Sequence, residues 1–174
     1  MQKQYILDKV TADKKLKRIA LEIAERNIGE TEIIIAGIKE NGSIIGDKIS
    51  NYLKDIFSGK LTQIEICIDK RNPGHIEPIS EANFNSAVVI LVDDVANTGR
   101  TIFYAVQPLL AVVPKKVEVA VLVDRKHKSF PIKADYVGLY LAARAGYDVS
   151  YAARIWRRLD EQYGASSGDH PTSD

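Results

Sequence analysis

The stretch that decides the fold is "VVILVDDVANTGRT", residues 88–101. Residues 87–92 are continuously apolar, which is typical of a parallel strand that is covered on both faces. Asp93 and Asp94 follow this run directly, and a glycine-centred turn then leads into a predicted helix. Because ligands of open α/β sheets bind beyond the carboxyl ends of the strands, the stretch predicts a binding site at this point.

Strand and helix patterns alternate along the rest of the chain. Apolar residues at helical spacing follow a predicted cap at Thr11, and alternating apolar and polar residues at 62–68 predict a strand with one wet face. This order indicates an open, mostly parallel and twisted α/β sheet flanked by helices. Strands are predicted at 32–37, 62–68, 87–92, 116–123 and 136–141, and helices at 11–27, 45–56, 102–112 and 149–163.

Composition places the chain among ordinary globular domains. Its 174 residues predict a single domain over 1–163, followed by a tail at 164–174 whose composition is typical of disorder. The net charge of +1 creates no global field that would attract nucleic acid. Cys67 is the only cysteine, which excludes an internal disulfide and fits a cytoplasmic protein. No apolar run approaches the roughly 20 residues of a membrane span, and no secretory signal pattern is present.

The segment after the buried strand suits a phosphorylated sugar. Free backbone N–H groups at a helix start, together with the hydroxyls of Thr98 and Thr101, form a good phosphate cradle. The carboxylates of Asp93 and Asp94 suit ribose hydroxyls or a phosphate-bound Mg²⁺. An Asp pair can also simply end a strand, but the Thr-Gly-Arg-Thr cluster that follows at fixed spacing favours a functional role.

These residues carry a family resemblance. Residues 93–101 resemble the PRPP-binding motif of type I phosphoribosyltransferases. Residues 18–27, 36–42 and 120–138 resemble one subfamily, the bacterial pyrimidine-operon attenuation regulators that are also uracil phosphoribosyltransferases. The resemblance covers residues 5–138 and implies the type I phosphoribosyltransferase fold with a small hood region. It also implies a homodimer or a larger homo-oligomer.

The resemblance further implies a role for each part of the site. Asp93 and Asp94 would be the catalytic pair that takes the ribose 2- and 3-hydroxyls, with the Mg²⁺ cofactor held mainly through PRPP and these two carboxylates as candidate ligands. A flexible loop over 69–86 would close on the site and bring Lys70 and Arg71 to the pyrophosphate. The 5-phosphate would be held by Ala96, Asn97, Thr98, Gly99, Arg100 and Thr101, the pyrophosphate by Gly37, Ile38, Lys39, Asn41 and Gly42, and the base by Asp124, Arg125, Tyr136 and Val137.

The implied reaction is the attack of a nucleobase nitrogen on C1 of Mg²⁺-bound PRPP, which releases pyrophosphate. Asn97 stands where the 6-oxopurine members carry an aspartate that is the proposed proton acceptor, and an amide cannot act as a base. This difference favours a pyrimidine, with uracil giving UMP as the first choice. The alternatives are an RNA-binding attenuation regulator that senses nucleotides with weak or no transferase activity, and a purine phosphoribosyltransferase.

Three positions depart from the subfamily pattern. Asn41 replaces an arginine of the pyrophosphate loop, and Leu21 replaces a histidine of the helix that contacts RNA. The third departure is the sequence after Gly138, which diverges from the family. The helix that carries Leu21 nevertheless stays basic. The basic residues of the helix are Lys14, Lys15, Lys17 and Arg18.

Overall fold

The computed structural model describes residues 8–68 and 82–141, which form a five-stranded parallel sheet with helices on both faces. The strand order is β2-β1-β3-β4-β5, and every adjacent pair is parallel. This architecture confirms the predicted α/β class. The elements are α1 (Lys9–Arg26), β1 (Glu32–Ile38), α2 (Asn41–Leu53), β2 (Lys60–Ile66), β3 (Val88–Ala96), α3 (Arg100–Val106), a 3-10 helix (Gln107–Ala111), β4 (Lys116–Arg125) and β5 (Tyr136–Leu141).

Strand β3 is apolar throughout its first half because helices cover the sheet on both sides. Ile90 and Val92 pack in the core cluster shared with α1 and α2. Val89 and Leu91 pack in the second cluster, which α3 and the 3-10 helix cover. Since side chains of a strand alternate between faces, neighbouring residues at the end of β3 also point to opposite sides of the sheet.

Several predicted boundaries differ from the structure, and the starts of α1 and β2 are two examples. Helix α1 begins at Lys9, and its N-cap is Asp8, three residues before the predicted cap Thr11. The Asp8 carboxylate accepts hydrogen bonds from the Thr11 N–H (2.8 Å) and hydroxyl (2.9 Å). Strand β2 begins at Lys60, two residues earlier than predicted, because the Lys60 N–H donates to the Thr31 carbonyl oxygen. Its apolar side chains Ile64 and Ile66 are buried, as the alternation predicted.

Several predicted segments lie outside the described residues. These are most of the 69–86 loop with Lys70 and Arg71, the last helix at 149–163 and the tail at 164–174, so the domain boundary stays a prediction. Within 8–68 and 82–141, no separate strand or helix forms the small hood. No helix in these two ranges has the length and apolar character needed to cross a membrane.

Candidate active site

Two glycines allow the start of α2 to lie directly against the carboxyl end of the sheet. A Cβ atom at Gly42 would lie 2.4 Å from the Val92 carbonyl oxygen and 3.3 Å from the Asp93 Cα, and one at Gly37 would lie 2.6 Å from the Ser43 Cα. Only residues without a side chain fit these contacts. The predicted pyrophosphate loop, residues 37–42, is therefore held beside the two aspartates.

Asp94 faces this loop. Its Oδ2 accepts a hydrogen bond from the Asn41 Nδ2 at 2.9 Å, and its Oδ1 accepts one from the Val95 N–H at 2.9 Å. Asn41 is the first residue of α2, so the bond joins the helix start to β3. The amide that replaces the subfamily's arginine thus orients one of the two predicted ribose-binding carboxylates.

Asp93 points to the opposite face, towards the turn that follows β3. It is 8% exposed, and its Oδ1 accepts a hydrogen bond from the Asp94 N–H at 2.9 Å. It borders a cavity of about 130 Å³ whose remaining lining includes every residue of the predicted phosphate turn. That lining consists of Val95, Ala96, Asn97, Thr98, Gly99, Arg100, Thr101 and Ile102.

The turn owes its shape to Gly99 and Thr98. Gly99 has a φ of 81°, in the left-handed region that glycine adopts without strain, and α3 begins at the next residue. The Thr98 hydroxyl oxygen accepts from the Arg100 N–H at 3.3 Å. The first N–H groups of an α-helix have no acceptor within the helix, which leaves donors for an anion at this end of α3.

The β4–β5 connection, residues 126–135, holds the turn from the other side. The N–H groups of Ser129 and Phe130 both donate to the Thr98 carbonyl oxygen, at 3.0 and 3.1 Å. Lys128 pairs with the carboxylate of Asp124, and both side chains are nearly buried. Sequence analysis did not single out Lys128, Ser129 or Phe130, because two of the three act through backbone groups, which leave no side-chain signature.

Two predicted base-binding residues, Asp124 and Arg125, form polar contacts with other side chains of the protein. The carboxylate of Asp124 is engaged by Lys128, and the Arg125 Nη1 donates to the Asn97 Oδ1 at 3.0 Å. Both residues lie at the carboxyl end of β4, beside the end of β3. They therefore belong to the same edge of the sheet as the phosphate turn, and their contact with a base stays a prediction.

The prediction that Tyr136 contacts the base is wrong. Tyr136 begins β5, far from the carboxyl edge, and its fully buried side chain packs in the core under α1. Its hydroxyl donates to the Glu118 Oε2 at 2.9 Å. Val137 packs in the other core cluster, and its carbonyl oxygen accepts from the Arg18 Nη2 at 2.6 Å, so these contacts do not support a base-binding role for it either.

The prediction that Ile38 and Lys39 both help to hold pyrophosphate needs a correction. The Lys39 N–H donates to the Ile66 carbonyl oxygen at 2.9 Å, because pairing with β2 continues one residue past β1. The Ile38 side chain is buried in the core. The exposed Lys39 side chain is therefore the group of this pair that is available to a pyrophosphate.

The carboxylates at this edge do not build a metal site of their own. In the part of the chain that the structure describes, no group of three or more His, Cys, Asp or Glu residues is arranged to hold a metal ion. Mg²⁺ is usually bound through one or two carboxylates together with substrate phosphates and water. Asp93 and Asp94 are suited to supply these one or two carboxylates, with PRPP supplying the phosphates.

The comparisons with known proteins identify the family. Residues 5–153 match the family model of the phosphoribosyl transferase domain. The chain belongs to this family. It is 36% identical over 148 residues to "Bifunctional protein PyrR" of Clostridioides difficile, covering 79% of this chain and 84% of the relative. It is 40% identical over 144 residues to the Streptococcus suis protein of the same name, covering 79% and 83%. The predicted family and its regulator subfamily are thereby confirmed.

Solved structures of purine enzymes share the fold. A hypoxanthine-guanine phosphoribosyltransferase from Bacillus anthracis matches with a TM-score of 0.66 and 19% identity, covering 80% of this chain and 82% of that one. The hypoxanthine phosphoribosyltransferase of Trypanosoma cruzi matches with a TM-score of 0.69 and 16% identity, with the same coverage. At such low identity these matches establish the type I fold and carry no argument for a purine substrate.

Replacing Asn41 tests its contact with Asp94. In Asn41→Ala the Asp94 Oδ2 loses this donor and only the Val95 N–H still holds the carboxylate, so we expect the KM for PRPP to rise about tenfold. Steady-state kinetics at saturating Mg²⁺ measure this change. Asn51→Ala in the same helix is the matched control, since Asn51 is exposed and contacts only Lys54 among the hydrogen bonds described. Equal KM values in the two variants would contradict the assignment.

Replacing Tyr136 tests its place in the core. Burial, followed by the hydrogen bond to Glu118, raises the pKa of Tyr136, so the folded protein keeps a phenolic proton that the unfolded chain loses above about pH 10. Stability from this group is therefore present below pH 10 and falls as the pH rises further. We expect Tyr136→Phe to be about 1 kcal/mol less stable than wild type at pH 8, and this gap to shrink at pH 10.5 in urea unfolding. A gap that stays constant would place the phenol in water.

Proposed function

We propose that this protein transfers the 5-phosphoribosyl group of PRPP to a ring nitrogen of uracil, giving UMP and pyrophosphate. One observation carries the proposal. The adjacent carboxylates of Asp93 and Asp94 lie between the cavity of the phosphate turn and the glycine loop 37–42 at the start of α2. The three parts match the ribose, the 5-phosphate and the pyrophosphate of one PRPP molecule.

Each part of the site has a task in this reaction. The turn at 96–101 binds the 5-phosphate with backbone and hydroxyl donors, and Asp93 and Asp94 accept hydrogen bonds from the ribose hydroxyls. The α2 N-terminus and the Lys39 side chain stabilise the negative charge of the departing pyrophosphate. When bound, Mg²⁺ neutralises charge on the pyrophosphate. Catalysis then comes from positioning and electrostatics, and the protein forms no covalent bond with the substrate.

The acceptor is inferred from position 97 and from the relatives. Asn97 lines the cavity and has no proton-accepting carboxylate, unlike the aspartate that the 6-oxopurine enzymes carry there. The relatives named "Bifunctional protein PyrR" belong to the pyrimidine regulator subfamily that the sequence resembles. Both points favour uracil over hypoxanthine or guanine.

Direct assay tests the reaction. Protein, PRPP and Mg²⁺ are incubated with uracil, orotate, hypoxanthine, guanine or adenine in turn, and pyrophosphate release is measured. We expect release with uracil above every other base. Absence of release with all bases would overturn the transferase proposal, whereas faster release with a purine would overturn only the acceptor.

RNA-dependent regulation is the second candidate function. Two observations favour it. The relatives carry the word "bifunctional" in their name, and α1 exposes cationic residues, among them Lys14, Lys17 and Arg18. Such a regulator would work in the cytoplasm, as a homo-oligomer in which each copy adds its basic surface. We expect a pyrimidine-leader RNA to bind more tightly than a shuffled sequence, with affinity falling as salt rises. Equal binding of both RNAs would contradict this function.

A further inference from the structure

We propose that Ser43 and Glu65 are a positioning pair for the pyrophosphate site. Their hydrogen bond holds the first turn of α2 at the carboxyl end of the sheet, beside the loop that the proposed function assigns to pyrophosphate. The inference rests on the proposed function and deepens it, because it adds a second anchor to the one that Asn41 and Asp94 supply. Both residues lie outside the loop 37–42 and act through it.

The bond joins α2 to strand β2. The Ser43 Oγ donates to the Glu65 Oε2 at 2.6 Å. Leu61 of β2 packs against the core cluster shared with α1 and α2, and side chains alternate along a strand, so Glu65 points to this same face. Glu65 is level with Gly37 of β1, where a Cβ atom would lie 2.6 Å from the Ser43 Cα. Donor and acceptor therefore meet where the helix lies directly against the sheet.

The length of the contact is that of a charge-assisted hydrogen bond. A hydroxyl group that donates to an ionised carboxylate lies about 2.5–2.7 Å from it, and such bonds are stronger than those between neutral groups. The other carboxylate oxygen, the Glu65 Oε1, accepts a weaker bond from the Cys67 Sγ at 3.6 Å. With a donor at each oxygen, the carboxylate keeps one orientation although Glu65 is an exposed residue.

The first turn of α2 is thus held from two sides. The Asn41 Nδ2 donates to Asp94 of β3, and the Ser43 hydroxyl donates to Glu65 of β2. Strand β1 lies between these two strands, so the turn is fixed across the end of β1. The glycines of the loop permit the close approach of helix and sheet, whereas the two hydrogen bonds determine where the turn lies.

The loop needs these anchors because one of its residues is strained. Glu40 has a φ of 75° and a ψ of −105°, which residues with a side chain rarely adopt. Such a conformation persists only where its surroundings hold it. On one side the Lys39 N–H is bonded to the Ile66 carbonyl oxygen, and on the other Ser43 holds the helix start. Without the Ser43 hydroxyl the loop relaxes, and part of the pyrophosphate binding energy is used to restore its shape.

The two halves of PRPP separate this role from general damage to the site. Mg²⁺-pyrophosphate and ribose 5-phosphate are titrated calorimetrically into wild type and Ser43→Ala. We expect Ser43→Ala to weaken pyrophosphate roughly fivefold and to leave ribose 5-phosphate within about twofold. Gln63→Ala is the control, because Gln63 is an exposed residue on the same face of β2, and it should keep both affinities. Unchanged pyrophosphate affinity in Ser43→Ala, or an equal loss for both halves, would overturn the inference.

Two variants of Glu65 distinguish the hydrogen bond from the charge. Glu65→Gln and Glu65→Ala both remove the negative charge, but only glutamine keeps an acceptor oxygen for Ser43. We expect Glu65→Gln to bind pyrophosphate about fivefold more tightly than Glu65→Ala, and at least as tightly as wild type. Equal affinities in the two variants would show that the carboxylate does not act through Ser43. This comparison leaves Ser43 in place, so it decides the question even if thermal melting shows that Ser43→Ala does not fold.

A double variant tests whether the two residues act as a pair. In the Glu65→Ala background, Ser43→Ala should weaken pyrophosphate no further, because the acceptor is already absent. A second fivefold loss in that background would show that the Ser43 hydroxyl acts independently of Glu65. A wild-type protein that binds neither half of PRPP would contradict the proposed function, and the inference with it.

Discussion

The double variant Asp93→Asn, Asp94→Asn is expected to lose pyrophosphate release by at least about a thousandfold while remaining folded. Amides keep the shape of the carboxylates but remove the two negative charges that we propose face the ribose and the Mg²⁺ of PRPP. Asp94 accepts from two donors, the Asn41 Nδ2 and the Val95 N–H, one at each carboxylate oxygen. An asparagine at this position has only one oxygen, so its NH₂ group would face one of these donors. The orientation of this residue is therefore lost together with its charge.

The measurement is kcat/KM for PRPP with uracil, paired with thermal unfolding of each variant. Asp55→Asn is the matched control, because Asp55 is an exposed residue after the end of α2, away from the sheet's carboxyl edge. We expect the control to keep wild-type kinetics and the double variant to keep most of its melting temperature. Activity above one tenth of wild type in the double variant would show that the ribose binds elsewhere.

The second large effect is expected from Gly42→Ala. The added methyl group would lie 2.4 Å from the Val92 carbonyl oxygen and 3.3 Å from the Asp93 Cα. Both neighbours are backbone atoms of β3 and cannot rotate away, so the start of α2 must move off the sheet. We expect a loss of stability of about 3 kcal/mol and a fall in activity of at least about a hundredfold, because the shift separates Asn41 from Asp94.

Gly46→Ala in the same helix is the control for this variant. A methyl group at Gly46 would lie 3.2 Å from the Ile35 Cγ2, which is a side-chain atom that can adjust. Alanine also favours the helix by about 1 kcal/mol over glycine, which offsets the tighter contact. We expect Gly46→Ala to stay within about 1 kcal/mol of wild type in urea unfolding and to keep its activity. Equal losses in both variants would contradict a specific role for the Gly42 contact.

The location of the site was predictable from the sequence because its determinants are local. The apolar run before Asp93 requires a strand buried on both faces, and parallel strands carry their ligands at the carboxyl edge. Gly99 and the hydroxyls around it lie within a few residues of that edge, so chain connectivity alone brings them together. The parallel α/β class follows in the same way from the alternation of strand and helix patterns.

Only the tertiary structure decided which groups contact one another across the site. Asn41 and Asp94 are 53 positions apart, and Arg125 and Asn97 are 28 apart, so no local pattern indicates that either pair meets. Their contacts depend on strand order and on how closely α2 approaches β3.

The same limit explains the error at Tyr136. The family resemblance put Tyr136 on the base side, whereas the register of β5 places it level with Ala120, inside the core. By itself the sequence determined the fold class, the edge of the sheet that carries the candidate site and the residue types that suit a sugar phosphate, because these follow from short-range periodicity and connectivity. Strand order, register and the approach of α2 decided the partner of each side chain, since those contacts arise only when distant segments pack together.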